Sequence, residues 1–96
     1  MSREATTWAA AQRPPKCADK AVLWALADAS HRATWEAFPS VAAIGAFAML
    51  NRKQVIASLD RLERAGLIRD SGRRVGRTAQ VKVYLLRPEQ SPIGDP

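Results

Sequence analysis

Apolar residues recur at helical spacing in the first part of the chain, and prolines and polar residues separate these repeats. After Pro15, an apolar stripe at i, i+1, i+4 and i+7 spacing predicts a helix that starts between Lys16 and Ala18 and ends near Ser30. The stripe consists of Val22, Leu23, Leu26 and Ala29. The segment 31–38 then predicts a loop, whose aromatic residues we expect to cover the core rather than to stack on bases. These aromatic residues are Trp35 and Phe38.

Two more helices follow, separated by a short turn. Ser40 stands where an N-cap belongs, and the apolar run 41–47 after it predicts a short helix. Asn51 is the N-cap predicted for the next helix, because Gln54 lies at capping-box spacing and the flanking residues Leu50 and Val55 form a hydrophobic staple. These coinciding signals make this the best-defined helix start in the sequence.

The helix that begins at Arg52 is predicted to end at Ala65, because Gly66 is a typical C-cap glycine. Its inner stripe is predicted to be Val55, Ile56, Leu59 and Leu62. After Gly66 the apolar period changes from 3.6 to 2, which predicts strands over 67–70 and 80–86 and a basic hairpin tip over 71–79. The inner face of the second strand is predicted to be Val81, Val83 and Leu85.

This order of elements predicts a fold. Two helices joined by a tight turn form a helix-turn-helix, in which the second helix enters the major groove of DNA, and a hairpin after them is a wing. We therefore predict a mainly α fold with a small β-hairpin, a winged helix-turn-helix with a three-helix core. The predicted divisions are an N-terminal arm over 1–15, the DNA-binding domain over 16–86 and a disordered tail over 87–96.

The sequence also resembles a known family over about residues 8–86. The motif residues are Pro39-Ser40, Ile44, Val55, Leu59, Leu62-Glu63 and Gly66-Leu67-Ile68, with Trp8-Ala9 and Lys20 to Ala27 upstream. They resemble the winged helix-turn-helix domains common in phage and plasmid replication initiators and small transcriptional regulators, which implies DNA binding. The family's turn glycine falls at Met49, and because Met tolerates a positive φ badly, we expect a reshaped turn. Gly45 replaces a small helical residue at a cost of about 1 kcal/mol relative to Ala.

Composition narrows the chemistry. With 96 residues the chain has room for one core, and its single Cys excludes an internal disulfide and a thiolate zinc site. Cys17 and His31 lie at opposite ends of a predicted helix, about 20 Å apart, so we expect no catalytic pair and no enzyme. No apolar stretch is long enough to span a membrane, and the first residues do not look like a signal peptide. We expect no metal, no cofactor and a cytoplasmic, nucleoid-associated protein.

The charge points to a polyanion. The net charge is +6, and residues 52–87 hold ten of the 15 Lys and Arg residues but only three of the nine acidic ones. Arg and Lys pair with guanine edges and phosphates, and Gln pairs bidentately with adenine. The candidate DNA-binding residues are Ser40, Arg52, Lys53, Gln54, Ala57, Arg61, Arg73, Arg74, Arg77 and Lys82.

Two tryptophans lie off the predicted core stripe. Trp8 and Trp24 either pack on each other or on the N-terminal segment, or form a homodimer or partner interface. Our leading hypothesis is a sequence-specific binder of double-stranded DNA, a small phage-type or plasmid-type transcriptional regulator that acts as a dimer. The alternatives are an origin-binding replication accessory protein and a winged-helix inhibitor that binds a host protein or ribonucleoprotein.

Overall fold

The computed structural model describes residues 3–86, which form four helices and three strands. In chain order these are α1 (Arg3–Ala11), α2 (Cys17–Ala29), β1 (Glu36–Ala37), α3 (Val41–Ala48), α4 (Arg52–Arg64), β2 (Ile68–Val75) and β3 (Val81–Leu86). The predicted fold class is confirmed: helices α2, α3 and α4 form a three-helix core, and the β2–β3 hairpin is the wing. The predicted tail over 87–96 lies outside the described residues.

Helix α2 is central, since it packs against α1, α3 and α4. Its predicted stripe is buried at three positions, whereas Ala29 is exposed and the buried residue at that end is Ser30, whose hydroxyl donates to the Ala27 carbonyl. The stripe of α4 also differs at one position. Ile56 is 46% exposed, and Ser58 is buried in its place because the Arg61 guanidinium gives its hydroxyl a hydrogen-bond partner.

The first residues are part of the packed structure. We expected an arm over 1–15, but Arg3–Ala11 is a helix whose Ala5 and Ala9 are buried in the core. Small side chains at four-residue spacing let α1 lie close to α2. Trp8, on the same helix, packs edge-on against Trp35 with ring centroids 5.9 Å apart. The aromatic partner of Trp8 is therefore Trp35, not Trp24.

The sheet has three antiparallel strands in the order β1-β3-β2. The short strand β1 lies in the segment predicted to be a loop, and it places Trp35 in the core as expected, while Phe38 stays exposed. In β3 the expected inner face is partly wrong: Tyr84 and Leu86 join the core cluster, and Val81 and Leu85 are only half-buried. Val83 is also buried, as predicted, although it is not part of the core cluster.

Helix α4 ends in a Schellman motif, as Gly66 predicts. Gly66 has a φ of 77° and donates to the Glu63 carbonyl, and Leu67 donates to the Leu62 carbonyl. The chain then reverses directly into β2, which runs to Val75 and is longer than predicted because a register shift between Asp70 and Arg74 lets pairing continue. The hairpin tip is consequently short and spans residues 76–80.

Candidate nucleic-acid interface

The turn between α3 and α4 sets the position of the helix that would enter a groove. Met49 caps α3 in the left-handed conformation, with φ 60° and ψ 45°, and it is 90% exposed. The expected reshaping of the turn is therefore wrong: Met49 adopts the left-handed conformation that a glycine favours, in spite of the contact between its Cβ and the backbone that makes this conformation costly.

Gly45 allows the chain to fold back closely at this turn. The amides of Met49 and Leu50 both donate to the Gly45 carbonyl, the latter at 3.0 Å. A Cβ on Gly45 would lie 2.7 Å from the Leu50 carbonyl oxygen, well inside van der Waals contact. A glycine in this helix is therefore required by the close approach of the turn.

The start of α4 is fixed by a complete capping box. The Asn51 side chain accepts from the Gln54 amide at 2.9 Å, and the Gln54 side-chain oxygen accepts from the Asn51 amide at 2.9 Å. Bidentate pairing of Gln54 with adenine needs that same oxygen as well as the amide nitrogen. The structure thus assigns Gln54 to the cap, and the predicted adenine contact would cost this hydrogen bond.

The outward face of α4 is opposite its buried positions. The buried residues are Val55, Ser58, Leu59 and Leu62. At 100° per residue, the residues that point away from this side are Lys53, Ala57, Asp60 and Arg64, and all four are exposed. Lys53 and Ala57, two of the candidate DNA-binding residues, therefore lie on the outward face of α4. Arg52 is exposed at the first position of the helix.

Arg61 does not belong to this face. Its guanidinium bonds both carboxylate oxygens of Asp19 on α2, with Nε at 2.9 Å from each and Nη2 at 2.8 Å from Oδ1. Asp19 is fully buried, while the Arg61 side chain is 29% exposed. We predicted that Arg61 contacts DNA, and the structure places its guanidinium against α2, where it is the cation that the buried carboxylate of Asp19 needs.

The ion pair shifts both ionisation equilibria. Burial alone would raise the pKa of Asp19. The hydrogen bonds from Arg61 and Ser58 and the positive charge of Arg61 together lower it by more than burial raises it, so the pKa lies below its ordinary value of 3.8. The hydrogen bond to Asp19 in turn raises the pKa of Arg61. Both groups are charged at neutral pH, and they lock α4 onto α2.

The arginines of the wing differ in whether a carboxylate lies beside them. Arg73 and Arg74 lie in β2 rather than at the tip, and each has a carboxylate partner: Arg73 with Glu36 at 2.8 Å, Arg74 with Asp70 at 3.1 Å. Arg77 lies in the tip, is exposed, and has no carboxylate within 4 Å among residues 3–86. Within the same residues, Arg52 and Lys53 also lack such a partner.

Asp70 is the acidic centre of the wing. The Gly72 amide donates to its carboxylate, and Arg74 and Lys82 (the latter at 3.9 Å) lie beside it. The hydrogen bond from Gly72, with the nearby cations, holds the pKa of Asp70 below 3.8 in spite of partial burial. The tight turn at Gly72, with a φ of 86°, brings that amide to the carboxylate.

A cleft of about 600 Å³ separates α4 from the wing. Ser40 lies on its rim, and its hydroxyl caps α3 by accepting from the Ala43 amide at 3.0 Å. The cleft is lined by two cations, Arg52 from α4 and Lys82 from β3, and by two carboxylates from α4, Asp60 and Glu63. Tyr84 also lines the cleft, and burial, with the negative charges of Glu63 and Asp70, raises the pKa of its phenol to about 12.

The two tryptophans have different surroundings. Trp8 is half-buried against the core and packs edge-on against Trp35, which agrees with the packing alternative of the two that we considered for it. Trp24 on α2 is 41% exposed.

No helix in the part of the chain described is long and apolar enough to cross a bilayer.

A compact helix pair with a close turn, a capped second helix and a basic hairpin beside it define a winged helix-turn-helix domain, a class that binds DNA. A family model described as a helix-turn-helix domain matches residues 17–68, more than half of the chain, and the chain belongs to that family. Comparison with curated proteins and with solved structures gave no match.

Proposed function

We propose that this protein is a sequence-specific binder of double-stranded DNA, a small transcriptional regulator of the phage or plasmid type without catalysis of its own. One observation carries the proposal. The exposed cations without carboxylate partners among residues 3–86 include Arg52 and Lys53 at the start of α4 and Arg77 at the wing tip. These are the two elements that this fold presents to a major groove and to the adjacent backbone. Such a protein would act at the nucleoid in the cytoplasm.

The roles divide by position. Lys53 and Ala57 face outward from α4, where a lysine pairs with guanine and a methyl group meets the methyl of thymine. Phosphate contacts come from the groups around the groove-facing helix: Ser40, Arg52, Arg77 and Lys82. Arg73 and Arg74 reach phosphates by exchanging their carboxylate partners. Arg61 supports α4 through its bond to Asp19 on α2, and Gln54 supports it through the N-terminal cap.

The test is duplex binding over a range of salt concentrations. The wild type is expected to bind one selected site at least ~1000-fold more tightly than random duplex, with log K falling steeply as log salt rises. Reversing Lys53 or Arg77 singly to Glu should weaken binding to every duplex. Arg32→Glu, in the loop between α2 and β1, is the matched charge control and should change affinity much less. Weak, equal affinity for all duplexes would refute the proposal.

A dimer is part of the proposal, because one domain of this size covers few base pairs and dimers read paired half-sites. The exposed Trp24 supports it as a contact residue. Trp24→Glu is expected to shift the native mass from dimer to monomer while the fold persists. An unchanged mass would rule out Trp24 as the dimer contact.

A second candidate is a protein partner in place of DNA, as for an inhibitor of a host protein. Exposed apolar side chains favour it, because they lie around the α3–α4 turn and the flank of α4. They are Phe47, Met49 and Ile56. The salt titration separates the two candidates, because a protein-directed surface would show no preference among duplexes. An origin-binding role would share the duplex result and differ only in where the selected site lies.

A further inference from the structure

Asp60 is an acidic residue on the outward face of α4. It lies one turn beyond Ala57, and its side chain is 59% exposed. A carboxylate on this face repels phosphates, so it does not contribute to general affinity for DNA. Its position is instead that of a side chain that would meet base edges.

The carboxylate is held by its own helix. Arg64, one turn later, places Nε 2.9 Å from Oδ2 of Asp60. This pair engages one oxygen and leaves the exposed carboxylate able to accept another hydrogen bond. The arginine also balances the negative charge, which lowers the cost of bringing Asp60 into a groove lined with phosphates.

The spacing on α4 fits a short base sequence. Lys53 and Asp60 are seven residues apart, or about 10 Å along the helix axis, which is about three base-pair steps. Ala57 lies between them and carries only a methyl group, so the helix backbone can approach the base edges closely. The outward face therefore offers a donor, a methyl group and an acceptor in order.

The chemistry of an acceptor selects one base. In the major groove cytosine presents an amino donor at N4, whereas guanine and thymine present oxygens that repel a carboxylate. Adenine has an amino group beside the N7 acceptor, which disfavours Asp and suits Asn or Gln. We propose that Asp60 is a specificity-determining residue that accepts from cytosine N4 and fixes a C·G pair about three pairs from the one contacted by Lys53. This proposal rests on the DNA-binding function proposed above.

The experiment is selection from a random duplex library with the wild type, Asp60→Asn and Glu63→Gln. The two variants remove one negative charge each, from neighbouring turns of α4, so they raise general duplex affinity alike. We expect C at one position of the wild-type site and A at that position for Asp60→Asn, with a preference change of at least about five-fold and all other positions kept. Glu63→Gln should keep the wild-type site.

Asp60→Ala provides a second variant, which should lose the preference at that position without gaining adenine. Thermal melts of all three variants should match the wild type, because both positions are exposed. If Asp60→Asn selects the same site as the wild type, Asp60 only repels phosphates and this proposal is wrong while the proposed function stands. If the wild type selects no sequence at all, both are wrong.

Discussion

Gly45 lies in a helix although glycine has a low helix propensity, because the turn after the helix leaves no room for a Cβ at this position. Ala stabilises a helix interior by about 1 kcal/mol relative to Gly, so propensity alone predicts that Gly45→Ala is stabilising. The Cβ, however, would lie 2.7 Å from the Leu50 carbonyl oxygen, which belongs to the backbone and cannot rotate away. We expect a loss of about 1–3 kcal/mol in the free energy of unfolding, typical of overpacking, measured by chemical denaturation.

Ala46→Gly is the control for Gly45→Ala, because Ala46 is exposed on the same helix. It should cost about 1 kcal/mol through propensity alone. A Gly45→Ala variant more stable than the wild type would show that the turn does not approach α3 this closely.

Single residues were predictable from sequence where their partners are close in the chain. The capping box at Asn51 and Gln54 depends on residues three apart, and the structure confirms it. The reason for Gly45 was not predictable, because it depends on where the Leu50 carbonyl lies after the turn. Arg61 was assigned to DNA because Asp19, 42 residues away, gave no local signal of its burial.

The Asp19–Arg61 pair determines how α4 sits on α2. Removing either partner breaks the same bonds, but the group left behind differs. Arg61→Met leaves a fully buried carboxylate without its cation, which costs about 3–5 kcal/mol. Asp19→Ala leaves a partly exposed arginine that water can reach, so we expect a smaller loss of stability. Denaturation of both variants should therefore rank Arg61→Met as the less stable, and the reverse order would contradict this account of the pair.

The carboxylates of Asp19 and Asp70 predict that the protein loses stability in acid. Asp19 and Asp70 have pKa values below the ordinary 3.8, so the folded state binds fewer protons than the unfolded state. Their stabilisation is complete above the unfolded pKa, and it is lost as pH falls below about 4 through the folded values. Thermal melts from pH 7 to pH 2 should show this fall, and Asp19→Asn, already weaker at pH 7, should show a smaller one. An equal fall in both proteins would exclude Asp19 as a cause.

At the scale of elements, periodicity predicted α2, α3, α4 and the wing, because each buries large apolar residues at regular spacing. Helix α1 was missed because it buries only Ala5 and Ala9, which carry a weak apolar signal. Strand β1 was missed because its two residues are a strand only through pairing with Leu85 and Tyr84, far along the chain. The inner face of β3 was partly misassigned because apolar residues occupy both faces of this strand, so alternation alone did not show that Tyr84 and Leu86 join the core.

Across the whole molecule, the net charge of +6 overstates the number of cations that can contact DNA. A lysine or arginine contacts a phosphate only if it has no carboxylate partner in the protein or can leave that partner. The Glu36 carboxylate on β1 forms a salt bridge with Arg73 of the wing, with Oε2 2.8 Å from Nη1. This pair neutralises part of the basic surface within the fold. Removing that carboxylate frees Arg73 for a phosphate. We expect Glu36→Gln to raise affinity for all duplexes and to steepen the slope of log K against log salt by about 0.9, the value for one added phosphate contact.

Glu4→Gln is the matched control for Glu36→Gln, because Glu4 is an exposed acid on α1, away from the wing, and its loss changes the net charge equally. A general effect of charge would raise affinity in both variants by the same factor and leave the slopes equal. A contact made by Arg73 would steepen the slope only for Glu36→Gln, and Arg73→Ala in that background would abolish the gain. Equal slopes in the two variants would therefore exclude Arg73 from the interface and leave the wing's contribution to Arg74, Arg77 and Lys82.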